Sequence, residues 1–215
     1  MKYFIIIFTV VLIHLLEVNI IDPYTTNLVG LDFTQIIISI ENGIVYWFSQ
    51  HWNPVLVVFF TVMYIGVYPF TLWFSTFYFI ATDSKKALRF LAIGLSIIYI
   101  IAFPFYLFFT VSNVYTYFGI QSALETIIPG INQFFYSTTT YNNCFPSLHV
   151  AVTLLIAKSV SITQNKKFTY FVYFCALSVI ISVIYLAIHW IIDVIGGIII
   201  AFFAFYLYNL VFKEK

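Results

Sequence analysis

The chain has 215 residues, of which 63% are hydrophobic and only 8% charged, and its formal charge is +1. That balance, without any run of Lys or Arg, speaks against a polyanion-binding protein, and no nucleic-acid partner is expected. A mean hydropathy of +1.03, carried in apolar runs too long and frequent for a water-soluble core, implies an integral membrane protein whose first partner is the lipid bilayer.

Taking about 20 apolar residues as one crossing, the sequence predicts an all-α polytopic fold: six transmembrane helices in one bundle, with interfacial helices on the outer side. The first helix runs from Tyr3 to Ile21. Its apolar run continues through His14 and Glu17 with no small-x-small site after it, so it is read as a retained helix and not a cleaved signal. From Phe33 to Phe48, apolar residues recur at helical spacing opposite Gln35, Asn42, Tyr46 and Ser49, which predicts one helix lying on the membrane. The second crossing is Pro54 to Ala81, with a kink or tilt expected at Pro69. The third is Ala87 to Val111. Gly119 to Ser137, broken at Pro129-Gly130, is too polar to cross and is expected along the surface. The last three crossings are Pro146 to Thr163, Phe168 to Ile188 and Trp190 to Phe212. Residues 1–215 read as one domain without repeats, and Cys144 and Cys175 read as free thiols with no metal-binding spacing.

The basic residues partition cleanly across this scheme. Lys2, then Lys85, Lys86 and Arg89, then Lys158, Lys166 and Lys167, then Lys213 and Lys215 all fall on one side. The loops carrying Asp22, Asp32, Glu41 and Glu125 fall on the other. By the positive-inside rule both termini are expected in the cytoplasm of a cell-membrane protein.

Two short patterns then meet at the outer face. His189 and Asp193 are spaced to share one helix face, so the carboxylate can accept an imidazole N–H and leave the other ring nitrogen as a nucleophile or base. The same pair could equally pack helix six onto a neighbour. Pro146 suits the first turn of a helix, which would turn the Ser147 and Leu148 amides and the Ser147 hydroxyl outward as an anion site. One turn in, His149 could donate a proton to a leaving oxygen; simple capping is the alternative. An ionisable residue at the centre of a membrane helix costs roughly 2.5 to 3.5 kcal/mol, so such a set is a functional-site hypothesis by default.

Pro146-Ser147-Leu148-His149, followed by His189-Trp190-Ile191-Ile192-Asp193, resembles the type 2 phosphatidic acid phosphatase superfamily. The wording Phe145 to Ala151 and His189 to Gly197 is most similar to its branch of inositol phosphorylceramide synthase-like lipid phosphotransferases. The resemblance is densest within residues 106–201. It implies that His189 is the nucleophile forming a phosphohistidine, Asp193 its orienter, His149 the general acid, and Ser147 a phosphate ligand, with no metal and no cofactor required. The implied substrate is a phospholipid or polyprenyl phosphate.

The departures concern charge. Where phosphatase members carry a Ser-Arg pair, this chain has Ser182-Val183, and Arg89 lies on the cytoplasmic side. Lys158 is about 16 Å along a helix from Ser147. Phosphoryl transfer leans on electrostatic clamping, so neutral groups must substitute: the Leu148 amide, Ser147, and Asn143, Asn142, Tyr141 or Thr140 from the preceding loop. The expected activity is outer-leaflet hydrolysis of a lipid phosphate or diphosphate, with transfer of a phospho-headgroup to a hydroxyl acceptor as the near alternative. A proton-coupled transporter using His14, Glu17, His149, His189 and Asp193 is the competing class. Oligomeric state is not legible.

Overall fold

The computed structural model describes residues 1–29 and 31–212; Lys213 and Lys215 lie outside them. The fold is 79% helix, with no strand among the described residues. α1 (Lys2–Leu16) passes through a π-helical turn, Glu17–Ile21, into α2 (Asp22–Val29). The helix therefore runs past Ile21, because the π turn keeps the backbone hydrogen-bonded through polar Asn19 and Asp22.

The single surface helix expected over Phe33 to Phe48 is instead two: α3 (Thr34–Glu41) and α4 (Ile44–Ser49). Asn42 and Gly43 separate them with left-handed φ angles of 50° and 73°, a break that an Asn-Gly pair tolerates. The apolar stripe is accordingly split, with Ile37 and Val45 buried while Ile40 and Ile44 are exposed.

α5 (Pro54–Thr61) begins where Asn53 accepts from the Val55 and Leu56 amides at 2.9 and 3.3 Å, a cap followed by Pro in the first turn. A second π turn, Val62–Val67, leads into α6 (Tyr68–Ala81). This turn sits at the Pro69 site of the expected kink: proline has no N–H for the preceding turn and its ring crowds the carbonyl there, so the helix widens instead.

α7 (Lys85–Phe108) stops before Val111. Thr110 to Asn113 then runs beside Tyr141 to Cys144, with Val111 N donating to Asn142 O at 2.7 Å, Asn113 N to Tyr141 O at 2.7 Å, and Cys144 N to Val111 O at 3.2 Å. Between these segments lie the short α8 (Val114–Phe118), α9 (Ala123–Ile127) and α10 (Ile131–Thr138). α10 follows Pro129 and Gly130, the latter at φ 84°.

α11 (Leu148–Ser161), α12 (Lys166–Tyr185) and α13 (Ile191–Phe212) complete the bundle. Among the described residues, five helices are long and apolar enough to cross a membrane: Lys2–Thr25, Pro54–Ala81, Lys85–Phe108, Lys166–Tyr185 and Ile191–Phe212. The expected fourth crossing falls short of that length. α11 has 14 residues, about 21 Å at 1.5 Å per residue, against a hydrocarbon core of about 30 Å. It is also the enclosed helix, packed against α6, α7, α12 and α13.

The core has two parts. One, around Leu91, Ile98, Leu155, Ile156 and Ala204, lies toward the end where Arg89 Nε donates to Tyr208 Oη at 2.9 Å and Asn165 Nδ2 to Tyr78 Oη at 2.9 Å. The other, around Val114, Leu124, Val150, Val183 and Trp190, lies under the loops at the opposite end. The outward faces carry exposed Phe and Ile, such as Phe74, Phe77, Ile199 and Phe202, as lipid contact demands.

Candidate active site

His189 is held by a turn and not by a helix. α12 ends at Tyr185, Ala187 takes a left-handed φ of 56°, and the Ile188 and His189 amides both donate to Val183 O at 3.0 Å. The Tyr115 hydroxyl donates to Leu186 O. Trp190, wholly buried, donates its indole N–H to Ser112 O at 2.9 Å. α13 starts only at Ile191, so the helical i, i+4 geometry expected for His189 and Asp193 is replaced by a cap. Asp193 Oδ2 accepts the Trp190 amide at 2.8 Å and lies 3.3 Å from His189 Nδ1. The two residues do meet, and both are buried. A carboxylate on Nδ1 leaves Nε2 as the ring atom free to react.

The second pattern comes up against this turn. Pro146 lies outside α11, whose first helical residue is Leu148 and whose N-cap is Ser147. The expectation that Pro146 opens the helix and frees the Ser147 amide is thus corrected: that amide donates to Asp193 O at 3.0 Å. Ser147 Oγ accepts from Val150 N at 3.5 Å, and Tyr106 Oη donates to Pro146 O at 2.8 Å. Gly196 and Gly197 permit this approach. A Cβ at Gly197 would stand 2.5 Å from Ser147 O, and one at Gly196 2.7 Å from the Phe145 ring. The consequence is that His149 and His189 face each other with ring centroids 5.7 Å apart.

Both histidines line one cavity of about 250 Å³. Tyr64, on the second π turn, brings its hydroxyl to 3.5 Å from His149 Nδ1, and Tyr68 packs on the same ring at 5.0 Å. Asn143 and Thr140 line the cavity, whereas Asn142 and Tyr141 do not. Leu148 lines it as well, next to His149. No Lys or Arg is among the lining residues, and Ser182 and Val183, at the position of the family's Ser-Arg pair, are buried in the core. His14 and Glu17 also line the cavity; the sequence reading used them only in the competing transporter scheme. Tyr64, Tyr99 and Tyr106 were missed, since no local signal separates a site tyrosine from the many others in the chain.

One group of side chains has metal-ligand proximity: Cys144 Sγ, His189 and Asp193 offer atoms within 4.8 Å of one another. Their chemistry favours hydrogen bonding over ligation. The Cys144 thiol is buried and donates to Ile188 O at 3.8 Å. Asp193 Oδ2 already serves Trp190 and His189. A buried protonated thiol is a poor ligand.

Fold and cavity together define a class, an integral membrane protein with paired histidines on a largely apolar chamber that carries a few polar side chains. The chain belongs to the PAP2 superfamily, whose sequence profile matches residues 27–207. Membership supports a function of the phosphatase or phosphotransferase type. No curated protein and no solved structure matches the chain.

Proposed function

We propose that this protein is a membrane lipid phosphatase working through a phosphohistidine on His189. The observation that carries the reading is the placement of the His149 and His189 rings, 5.7 Å apart on one cavity, with Asp193 on the far side of His189. In the first step His189 Nε2 attacks phosphorus, the P–O bond to the lipid breaks, and His149 protonates the departing oxygen. Asp193 steadies the imidazolium so formed. In the second step water attacks the same phosphorus, His149 takes its proton, and the N–P bond breaks. Ser147, wholly buried, capping Val150 and absent from the cavity lining, would bind phosphate only by turning its hydroxyl out of the cap; the Leu148 and His149 amides at the start of α11 are the neutral donors of this reading. Their lack of formal charge favours a monophosphate or phosphodiester of a phospholipid or polyprenyl chain over a diphosphate.

The finer architecture belongs to the same reading. α11 completes a sixth crossing together with the Thr139 to Ser147 segment, in a single domain spanning 1–215. Both termini face the cytoplasm and the cavity faces the outer leaflet, because the described Lys and Arg residues sit at the end of the bundle away from it. The resemblance of the motif wording to inositol phosphorylceramide synthase-like enzymes supports a second reading, transfer to a hydroxyl acceptor, and the presence of Glu17 and Asn143 on the same cavity favours it. The transporter reading is weakened by His14, Glu17, His149 and His189 sharing one chamber and not a path across the bundle.

The test is turnover of lipid monophosphates, diphosphates and phosphodiesters by purified protein, with and without polyols, for native and His189→Ala. Phosphate release or headgroup exchange is expected and should vanish in the variant. Turnover unchanged by His189→Ala would exclude the nucleophile.

A further inference from the structure

The two histidines on the cavity are held by different chemistries. His189 Nδ1 faces the Asp193 carboxylate at 3.3 Å, whereas no ion pair among the described residues involves His149. What meets His149 is a phenol. The Tyr64 hydroxyl lies 3.5 Å from its Nδ1, and the two ring centroids are 4.6 Å apart. Tyr64 is fixed where it stands: it is buried, packs on Phe135 of α10 at 5.9 Å, and has its backbone in the π turn Val62–Val67. Tyr68, at the start of α6, closes on the same imidazole at 5.0 Å. The phosphohistidine scheme uses His149 twice, as acid and then as base, and gives neither tyrosine a part.

We propose that Tyr64 is the positioning residue of His149: its hydroxyl engages Nδ1 and leaves Nε2 as the atom that exchanges protons with the cavity. The role rests on the reading of His149 as general acid and base. A phenol oxygen accepts a hydrogen bond as readily as its O–H donates one. When His149 is charged, its Nδ1–H donates to the Tyr64 oxygen and Nε2 carries the other proton. As the P–O bond to the lipid breaks, the Nε2 proton goes to the departing oxygen. The ring is left neutral, with Nδ1–H still on Tyr64 and a lone pair at Nε2 that takes a proton from the water attacking phosphorus next. Tyr64 keeps its own proton throughout.

The unlike partners suit the unlike tasks. A carboxylate stabilises an imidazolium, which serves His189 because attack on phosphorus makes that ring positive. The same carboxylate beside His149 would oppose release of its proton. A neutral hydroxyl at 3.5 Å, at the long end of hydrogen-bond range, aims the ring with little hold on its charge. No Lys or Arg lines the cavity, so expulsion of the lipid depends the more on a well-directed proton.

Tyr64→Phe retains the ring that packs on His149 and removes only the hydroxyl. Two phosphate monoesters separate proton delivery from the rest of the reaction: octyl phosphate, whose alkoxide leaves poorly unless protonated, and nitrophenyl phosphate, whose phenolate leaves unaided. The quantity to measure is kcat/KM, which covers the steps through transfer to His189 and not the later attack by water. Tyr64→Phe should lower it roughly tenfold for octyl phosphate and less than about twofold for nitrophenyl phosphate. His149→Ala should show the same pattern enlarged, roughly 100-fold or more on octyl phosphate. Equal losses on both esters in Tyr64→Phe, or no loss on either, overturn the positioning role. Equal losses in His149→Ala, or no turnover of either ester by native protein, sink the general-acid reading instead. The contact is judged apart from turnover by nitrogen NMR of histidine-labelled protein, with resonances assigned through His149→Ala and His189→Ala. The His149 Nδ1 resonance should move in Tyr64→Phe while that of His189 stays. An unmoved His149 Nδ1 overturns the proposal whatever the kinetics show.

Discussion

Gly197→Ala isolates the contact that brings the two motifs together. The added methyl would lie 2.5 Å from the Ser147 carbonyl oxygen, a backbone atom fixed as the first acceptor of α11, and 3.0 Å from Val150 Cβ. Real contacts of this kind begin at about 3.0 Å, so α13 must retreat by at least about 0.5 Å, because close-packed interiors do not absorb such overlap elsewhere. That retreat stretches the Ser147 N to Asp193 O bond, now 3.0 Å, and carries Asp193 away from the segment that holds His149. A displacement approaching 1 Å in a reacting geometry costs roughly 100-fold in rate. Helix stability does not explain such a loss, since Ala is about 1 kcal/mol better than Gly within a helix. Gly196→Ala is the internal contrast: its methyl meets the end of the Phe145 ring at 2.7 Å, a side chain that can turn aside, and the expected loss is less than tenfold. The assay is phosphate release from a lipid monophosphate alongside thermal unfolding in the same detergent. Gly197→Ala retaining more than half of native activity, or losing no more than Gly196→Ala, would refute the claim that this contact sets the histidine geometry.

Two further substitutions test the groups around it. Asp193→Asn keeps an acceptor for the Trp190 amide but presents the wrong partner to His189 Nδ1; a loss of about 10³- to 10⁴-fold in turnover is expected, with unfolding temperature changed little, and near-native turnover would remove Asp193 as orienter. Glu41 reaches from α3 to accept the Ile192 amide at 2.8 Å in the first turn of α13, and burial raises its pKa above 4.5, outweighing the backbone bonds that lower it. A raised carboxyl pKa means that the folded state holds the proton longer, so its contribution to stability is full below about pH 4.5 and declines as pH rises through the folded value. Glu41→Gln should flatten that decline while preserving the Ile192 bond, and parallel stability–pH profiles for the two proteins would contradict it.

Much of this was legible in the chain. Apolar runs gave the long helices, and the His-x-x-x-Asp spacing brought His189 to Asp193. Yet the reasons differed at decisive points. His189 and Asp193 meet through a capping turn, because Ala187 and the buried Trp190 end α12 and delay α13 until Ile191. The Ser147 amide is spent on Asp193 O, a long-range contact with no local signature. Neither π turn is written in hydrophobic periodicity, since one inserted residue leaves an apolar run apolar; Glu17 and Tyr64 reach the cavity through them. Asn42-Gly43 is the opposite case, a breaker visible in the sequence but outweighed in the reading by the apolar spacing across it.

The short length of α11 is what makes room for the site. A helix that satisfied the full apolar span would bond its own amides and carbonyls and leave a lipid-like core with nothing reactive in it. Here the chain approaches α11 as non-helical backbone with several bends, Thr139 to Ser147, which within a bilayer would require protein or a cavity around it. Several of its backbone groups are bonded: Tyr141 O and Asn142 O accept from Asn113 and Val111, Cys144 N donates to Val111 O, Pro146 O takes the Tyr106 hydroxyl, and Ser147 N donates to Asp193 O. What that segment places on the cavity, Thr140 and Asn143, is polar. Lengthening α11 at its start by about two turns would take Asn143 into the helix and withdraw it from Glu17, whose Oε1 it now meets at 2.8 Å. The shortfall of about 9 Å against the hydrocarbon thickness leaves room for non-helical backbone before α11, and that backbone is what brings Thr140 and Asn143 to the same cavity as His149 and His189.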